Sequence, residues 1–303
     1  MQRDGAAFIN GESVLHEGGN SNMRSNGDTP ANGRGDVSAN VNGQMQGGEL
    51  HGSVGVSANG SDEMEGGSDT YAFVRLRRRL AEKANDAKER AVSYVAIGDS
   101  VTQGCMEDGV MDYDNVYHQV LKRGIEHRYP GTVLNVINSG VNGDTVVASR
   151  SRWDRDLFQY KPDLVTICFG HNDVHGREEG LSDFTATLGK LVTRIRRETE
   201  SEVLLITPCM MMKRDNDRIA AVHKPLIPTF VKLARDGILP LYVEAVRELA
   251  AEQNIPIFDC YALWETMERE GNDIHDYLSN GINHPTPAFH AAWGEALCVR
   301  LLH

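Results

Sequence analysis

From residue 93 onward, short unbroken apolar runs alternate with longer stretches whose apolar residues recur every three or four positions. The runs cover 93–100 (SYVAIGDS), 132–140 (TVLNVINSG), 163–170 (DLVTICFG), 202–208 (EVLLITP) and 255–261 (IPIFDCY). They are rich in β-branched residues and apolar on both faces, the pattern of strands in a parallel sheet covered on both sides. Between them, 115–129, 145–160, 182–199 and 241–253 have the length and period of amphipathic helices. Strand and helix in alternation predict an α/β fold, a three-layer α/β/α sandwich around a five-stranded parallel sheet. One more helix is expected ahead of the first strand. Ser68-Asp69 would cap it, and Phe73, Leu76, Leu80, Ala84 and Ala87 share a face. The basic run Arg75, Arg77, Arg78 and Arg79 lies mostly opposite and reads as a solvated face.

Residues 1–70 differ in kind. They are Gly, Asn and Ser with scattered charge and almost no large apolar side chains. Such a segment cannot bury enough surface to offset its ordering entropy, so a disordered N-terminal tail is expected, with a single domain over 71–303. The embedded GRGD and the Asn-Gly-Ser sequon at Asn59 are chance features of that composition.

Composition narrows the function classes. The chain has 303 residues, 40% hydrophobic and 24% charged, as soluble globular proteins do. A formal net charge of −12 excludes a general nucleic-acid binder, which needs a basic face. No apolar run approaches a membrane span, and the first residues lack the basic-then-apolar pattern of a secretory signal. The expectation is a cytoplasmic protein without an integral membrane segment. The five cysteines, at 105, 168, 209, 260 and 298, are scattered and unpaired in pattern, so free thiols are expected rather than a disulfide framework or zinc knuckle.

In an open parallel sheet the ligand site lies beyond the carboxyl ends of the strands. The first run ends in Gly98-Asp99-Ser100, the second in Ser139-Gly140-Val141-Asn142-Gly143, and the third in Gly170-His171-Asn172-Asp173. All three endings are small and polar, and they should converge on one rim. A hydrolytic serine needs a base, something to orient that base, and donors for the oxyanion. Ser100 is the candidate nucleophile, Gly140 a candidate backbone donor and Asn172 a candidate side-chain donor. His284, in the Gly/Asn/Pro-rich loop SNGINHPTP before the last helical stretch, is the candidate base.

These blocks, in this order over residues 93 to about 293, resemble the SGNH or GDSL-type hydrolases. The resemblance implies a flavodoxin-like fold and cofactor-free hydrolysis of esters or thioesters. It implies Ser100 as nucleophile and first oxyanion donor, Gly140 and Asn172 as the other donors, and His284 as general base. One position departs from the pattern: the family places an aspartate three residues before the histidine, where this chain has Gly281. Asp276 is the first candidate to orient His284 instead, Asp273 the second, and a backbone carbonyl the third. His171 is similar to the carbohydrate acetylesterase branch of the family.

Rival chemistries find less support. His171 and His175 flank Asp173, but no His-Glu-x-x-His is present, so no metal site is expected. MDYDNV (111–116) has the Asp-x-Asp of aspartyl phosphotransferases without a strand before it, and no nucleotide-binding Gly loop occurs. No cofactor is expected. The segment 209–240 after the fourth run is long enough to shape specificity. Met210, Met211 and Met212 are its candidate lining, together with Trp153, beside Arg150 and Arg152, for a small-molecule, carbohydrate or lipid ester.

Overall fold

A computed structural model describes residues 72–303. The expected tail, the Ser68-Asp69 cap, GRGD and Asn59 fall outside the described residues. Five parallel strands, β1 (Val92–Gly98), β2 (Leu134–Gly140), β3 (Leu164–Cys168), β4 (Glu202–Ile206) and β5 (Ile257–Phe258), form one sheet in the order β2-β1-β3-β4-β5. That is the flavodoxin-like order, with the switch point between β1 and β3. All five runs are strands; β5 is only two residues long because Asp259 turns the chain into a helix by accepting from the Ala262 amide.

The helices in chain order are α1 (Val74–Asn85), α2 (Ser100–Gln103), α3 (Tyr117–Arg128), α4 (Val146–Ser149), α5 (Trp153–Asp156), α6 (Arg177–Glu198), α7 (Ile227–Arg235), α8 (Ile238–Glu252), α9 (Cys260–Arg269) and α10 (Pro287–Leu302). Tyr117 of α3 stacks on Trp293 of α10 at 4.1 Å, and Trp264 of α9 meets Phe289 of α10 at 4.4 Å, joining one cover layer. Phe184 of α6 and Tyr242 of α8 meet edge-on at 5.0 Å in the other. Burying such rings contributes roughly 2–3 kcal/mol each.

Three elements depart from the expectation. Residues 145–160 are not one helix but α4, α5 and single 3₁₀ turns, with Arg152 turned inward to bond the Ser139 and Gly98 carbonyls. Segment 209–240 carries the whole of α7, with Pro228 in its first turn, where a missing N–H costs nothing. The arginine run of α1 is a solvated face only at Arg78, 65% exposed and paired with Glu82 of its own helix. Arg79 is mostly buried against Asp163, Arg77 donates to the Leu301 carbonyl, and Glu202 of β4 accepts from the Arg75 and Leu76 amides at the start of α1. These contacts tie the helix to β4, to the start of β3 and to the end of α10. No helix among the described residues is long and apolar enough to cross a membrane.

Candidate active site

β1 ends at Gly98, and Asp99 caps α2 by accepting from the Val101 amide at 2.9 Å. The strand–turn–helix leaves Ser100 at the start of α2. Gly140, at the end of β2, packs directly on that helix: a Cβ there would lie 2.1 Å from the Gln103 amide nitrogen. Only a glycine lets the two backbones approach so closely.

His284 reaches Ser100 from the loop ahead of α10, and the Asn280 side chain organises that loop. Its Oδ1 accepts from the amides of Ile282, Asn283 and His284 at 2.9–3.0 Å. His284 Nδ1–H donates to the Met106 carbonyl at 2.8 Å. A carbonyl only accepts, so the ring's proton sits on Nδ1 and the Nε2 lone pair faces the Ser100 hydroxyl at 3.0 Å. Burial pushes the imidazole down to about 4, which keeps the ring neutral at pH 7.

Asp276 does not orient His284. It sits on a 3₁₀ turn (Ile274–Tyr277) that aims its side chain outward, 71% exposed, with Arg218 as its ion-pair partner at 3.8 Å. Asp273 is spent on that turn, accepting from the amide and Nδ1 of His275 at 3.1 and 2.6 Å and pairing with Arg214. Position 281 cannot take up the work either. Gly281 has a φ of +70°, and a Cβ there would lie 2.4 Å from Asn216 Oδ1. Of the three acceptors considered from sequence, the backbone carbonyl holds the ring.

The Gly140 amide is also committed elsewhere. It donates to the Asn138 side chain at 3.0 Å, so it is not free for an oxyanion. The loop that follows offers another. Among the amides from Asn142 to Val146, those of 142, 144, 145 and 146 are bound by Gln103 Oε1, the Val141 carbonyl, Asp144 Oδ1 and Asp173 Oδ1. Gly143 alone has an amide without a partner. Beside it, Asn172 Nδ2 donates one proton to the Asp144 carbonyl at 2.9 Å and keeps a second. The Ser100 amide, at the helix start, is also free of backbone and side-chain acceptors.

The expected lining residues lie elsewhere. Met210, Met211 and Met212 are buried core, and the Met212 amide bonds the Ile282 carbonyl behind the His284 loop at 2.7 Å. Trp153 is buried, donates to Ser149 Oγ at 2.9 Å, and borders a surface groove with Thr185, Gly189 and Leu249 of α6 and α8. Apolar side chains follow the core, and the one polar partner among them, Ser149 for Trp153, is itself buried.

His171 is fully buried. Its Nδ1 faces Asp99 Oδ2 at 3.3 Å and its Nε2 the Cys209 carbonyl at 2.9 Å. Burial opposes its charge, but Cys209 and Asp99 outweigh that and hold its pKa well above the usual value. His175 packs edge-on against Phe230 instead. Among the described residues no group of three or more His, Cys, Asp or Glu could hold a metal ion.

The sequence over residues 96–292 matches the GDSL-like Lipase/Acylhydrolase family. The chain belongs to this family. An acetylxylan esterase of Geobacillus stearothermophilus is 31% identical over 98 residues, 29% of this chain and 44% of that protein. An isoamyl acetate-hydrolyzing esterase 1 homolog of Mus musculus is 25% identical over 221 residues, 64% of this chain and 79% of that protein. The chain thus spans under half of the first relative's length. A solved acetylxylan esterase of the same Geobacillus shares the fold, with a TM-score of 0.52 at 23% identity over 69% of this chain and 94% of the other. A lipase/acylhydrolase of Enterococcus faecalis does likewise, with a TM-score of 0.54 at 24% identity over 70% and 95%.

Sequence reasoning missed the Met106 carbonyl, the Gly143 amide and the Asn280 anchor. The last two carried a signal: Asn-Gly pairs at 142–143 and 280–281 mark turns. A carbonyl carries none, since every residue has one.

Proposed function

We propose that this protein is a serine-dependent carboxylic ester hydrolase that works through an acyl-enzyme. The observation that carries the reading is the 3.0 Å contact between Ser100 Oγ and the unprotonated Nε2 of His284. Ser100 Oγ attacks the ester carbonyl carbon while its proton passes to Nε2, and the carbonyl oxygen becomes an oxyanion. The amides of Ser100 and Gly143 and the second amide proton of Asn172 stabilise that charge. Collapse breaks the bond to the alcohol, which leaves with the proton from His284. Water, deprotonated by the same ring, then releases the acid and restores Ser100. The Met106 carbonyl takes the tautomer-fixing place that an aspartate holds in the serine-protease triad. Both named relatives act on acetyl esters by their names, which supports acetyl as the acyl group of a small-molecule, carbohydrate or lipid alcohol.

The test is Ser100→Ala assayed on p-nitrophenyl acetate. Turnover should drop by about 10⁴-fold or more, because nucleophile and base act as a unit. Covalent labelling by a fluorophosphonate should vanish with it. A variant that still labels and turns over would place the nucleophile elsewhere.

A further inference from the structure

The buried guanidinium of Arg152 touches the carboxyl ends of two strands at once. Its Nη1 donates to the Ser139 carbonyl at 2.8 Å and its Nη2 to the Gly98 carbonyl at 3.1 Å. Its Nε donates to Asp144 Oδ2 at 2.7 Å, and Asp156 lies 3.3 Å from Nη1. Arg152 and Asp144 are each more than nine-tenths buried. We propose that Arg152 is the positioning residue of the oxyanion site, aligning its three donors through the carbonyls of Gly98 and Ser139 and the carboxylate of Asp144. The proposal rests on the reading of Ser100, Gly143 and Asn172 as those donors.

Each donor is tied to a group that Arg152 holds. Gly98 lies two residues before Ser100, and its carbonyl belongs to the peptide that leads into the Asp99 cap. Ser139 shares a peptide plane with Gly140, the residue on which α2 rests. Asp144 follows Gly143 directly, and the Asp144 carbonyl receives Asn172 Nδ2. One rigid planar fork therefore sets the relative positions of three segments that are distant in sequence.

Charge does not explain the arrangement. Arg152 faces two carboxylates, Asp144 and Asp156, so the cluster adds no net positive field to stabilise an oxyanion. What the guanidinium contributes is direction: planar N–H groups that bond several acceptors at fixed angles. A lysine ammonium would keep the charge but lose that geometry.

The experiment compares Arg152→Lys with the wild type by steady-state kinetics on p-nitrophenyl acetate, thermal unfolding, and inhibition by a boronic acid. Loss of aligned donors should lower kcat by about 10²-fold with KM within about twofold, and weaken the boronate in proportion, since its adduct mimics the oxyanion. If Arg152→Lys does not fold, Asp144→Asn serves instead. It keeps the shape while removing the charge that holds the fork, and the same split is expected at about tenfold in kcat. A folded variant with kcat within threefold of wild type, or with its loss wholly in KM, overturns the proposal; so does a failure of both variants to fold, which would make Arg152 a folding determinant only. Ser100→Ala separates the two claims. If that variant stays active the underlying reading fails; if it is dead while folded Arg152 variants keep their kcat, only the role of Arg152 fails.

Discussion

The two halves of the site are built to different standards. On the base side, the His284 ring is held by one neutral hydrogen bond from Nδ1 to a main-chain carbonyl, on a loop pinned by the Asn280 side chain. On the side proposed to hold the oxyanion, three segments are cross-linked by the buried Arg152–Asp144 ion pair, by the guanidinium's bonds to strand-end carbonyls, and by the Asp173 carboxyl on the Val146 amide. The difference matches the work that the proposed mechanism gives each half. A base needs one proton in the right place, and a single acceptor specifies that. A charge that appears only in the transition state needs several donors converging on one point, and these must be fixed in advance.

The largest effect is expected among the proposed oxyanion donors. Asn172→Ala should lower kcat by roughly 10²–10³-fold with little change in KM, as for a donor used mainly in the transition state. An effect confined to KM would make Asn172 a substrate-binding residue. On the base side, Asn280→Ala removes the acceptor for three loop amides, and kcat should fall by about 10–10²-fold. Thermal unfolding should move down with it, and an unchanged kcat would mean the loop holds His284 without that anchor.

The pH profile sharpens the contrast further. With His284 pushed down to about 4, kcat/KM should hold until the pH nears 4 and fall below it, as the ring takes a proton and stops being a base. An acid limb near 6.5, the ordinary histidine value, would mean that burial does not govern the ring. Stability should follow a related course. His118 and His290 are buried neutral, held down to about 4 and about 3 by burial. The unfolded chain protonates them from about 6.5 downward while the native state does not, so stability falls with falling pH in that window. Asp173 acts in the opposite sense. Burial raises its carboxyl to about 7, so the folded state keeps a proton there that the unfolded chain has lost, partly offsetting the histidines. The smallest effect is expected for Asp276→Asn and Asp273→Asn, each within about twofold of wild-type kcat. A loss near 10²-fold in Asp276→Asn would restore a carboxylate to the triad and displace the Met106 carbonyl from it.

What could be read from the chain alone follows the same division. Strands buried on both faces declare themselves as continuous apolar runs, so the sheet, its strand count and the rim holding Ser100, Asn172 and His284 were all legible. Residues 145–160 look helical by spacing, yet Arg152 leaves the helical pattern to satisfy carbonyls at the ends of β1 and β2, a gain that no local periodicity records. The Gly140 amide looked available because nothing in a sequence says that the side chain two residues back will take it. Met210, Met211 and Met212 looked like adaptable lining. They are buried because the segment carrying them folds back across the His284 loop, a tertiary choice.

An orienting group that belongs to the main chain changes how this site responds to mutation. A side-chain acid can be erased by one codon change, whereas the Met106 carbonyl survives every substitution at its own position. Vulnerability is thereby moved to whatever shapes the turn around residue 106, and away from the identity of any one side chain. A lineage that carries such a site can change the exposed residue at 276 while its base stays aimed. It also means that the missing acid at position 281 does not by itself mark this chain's site as impaired.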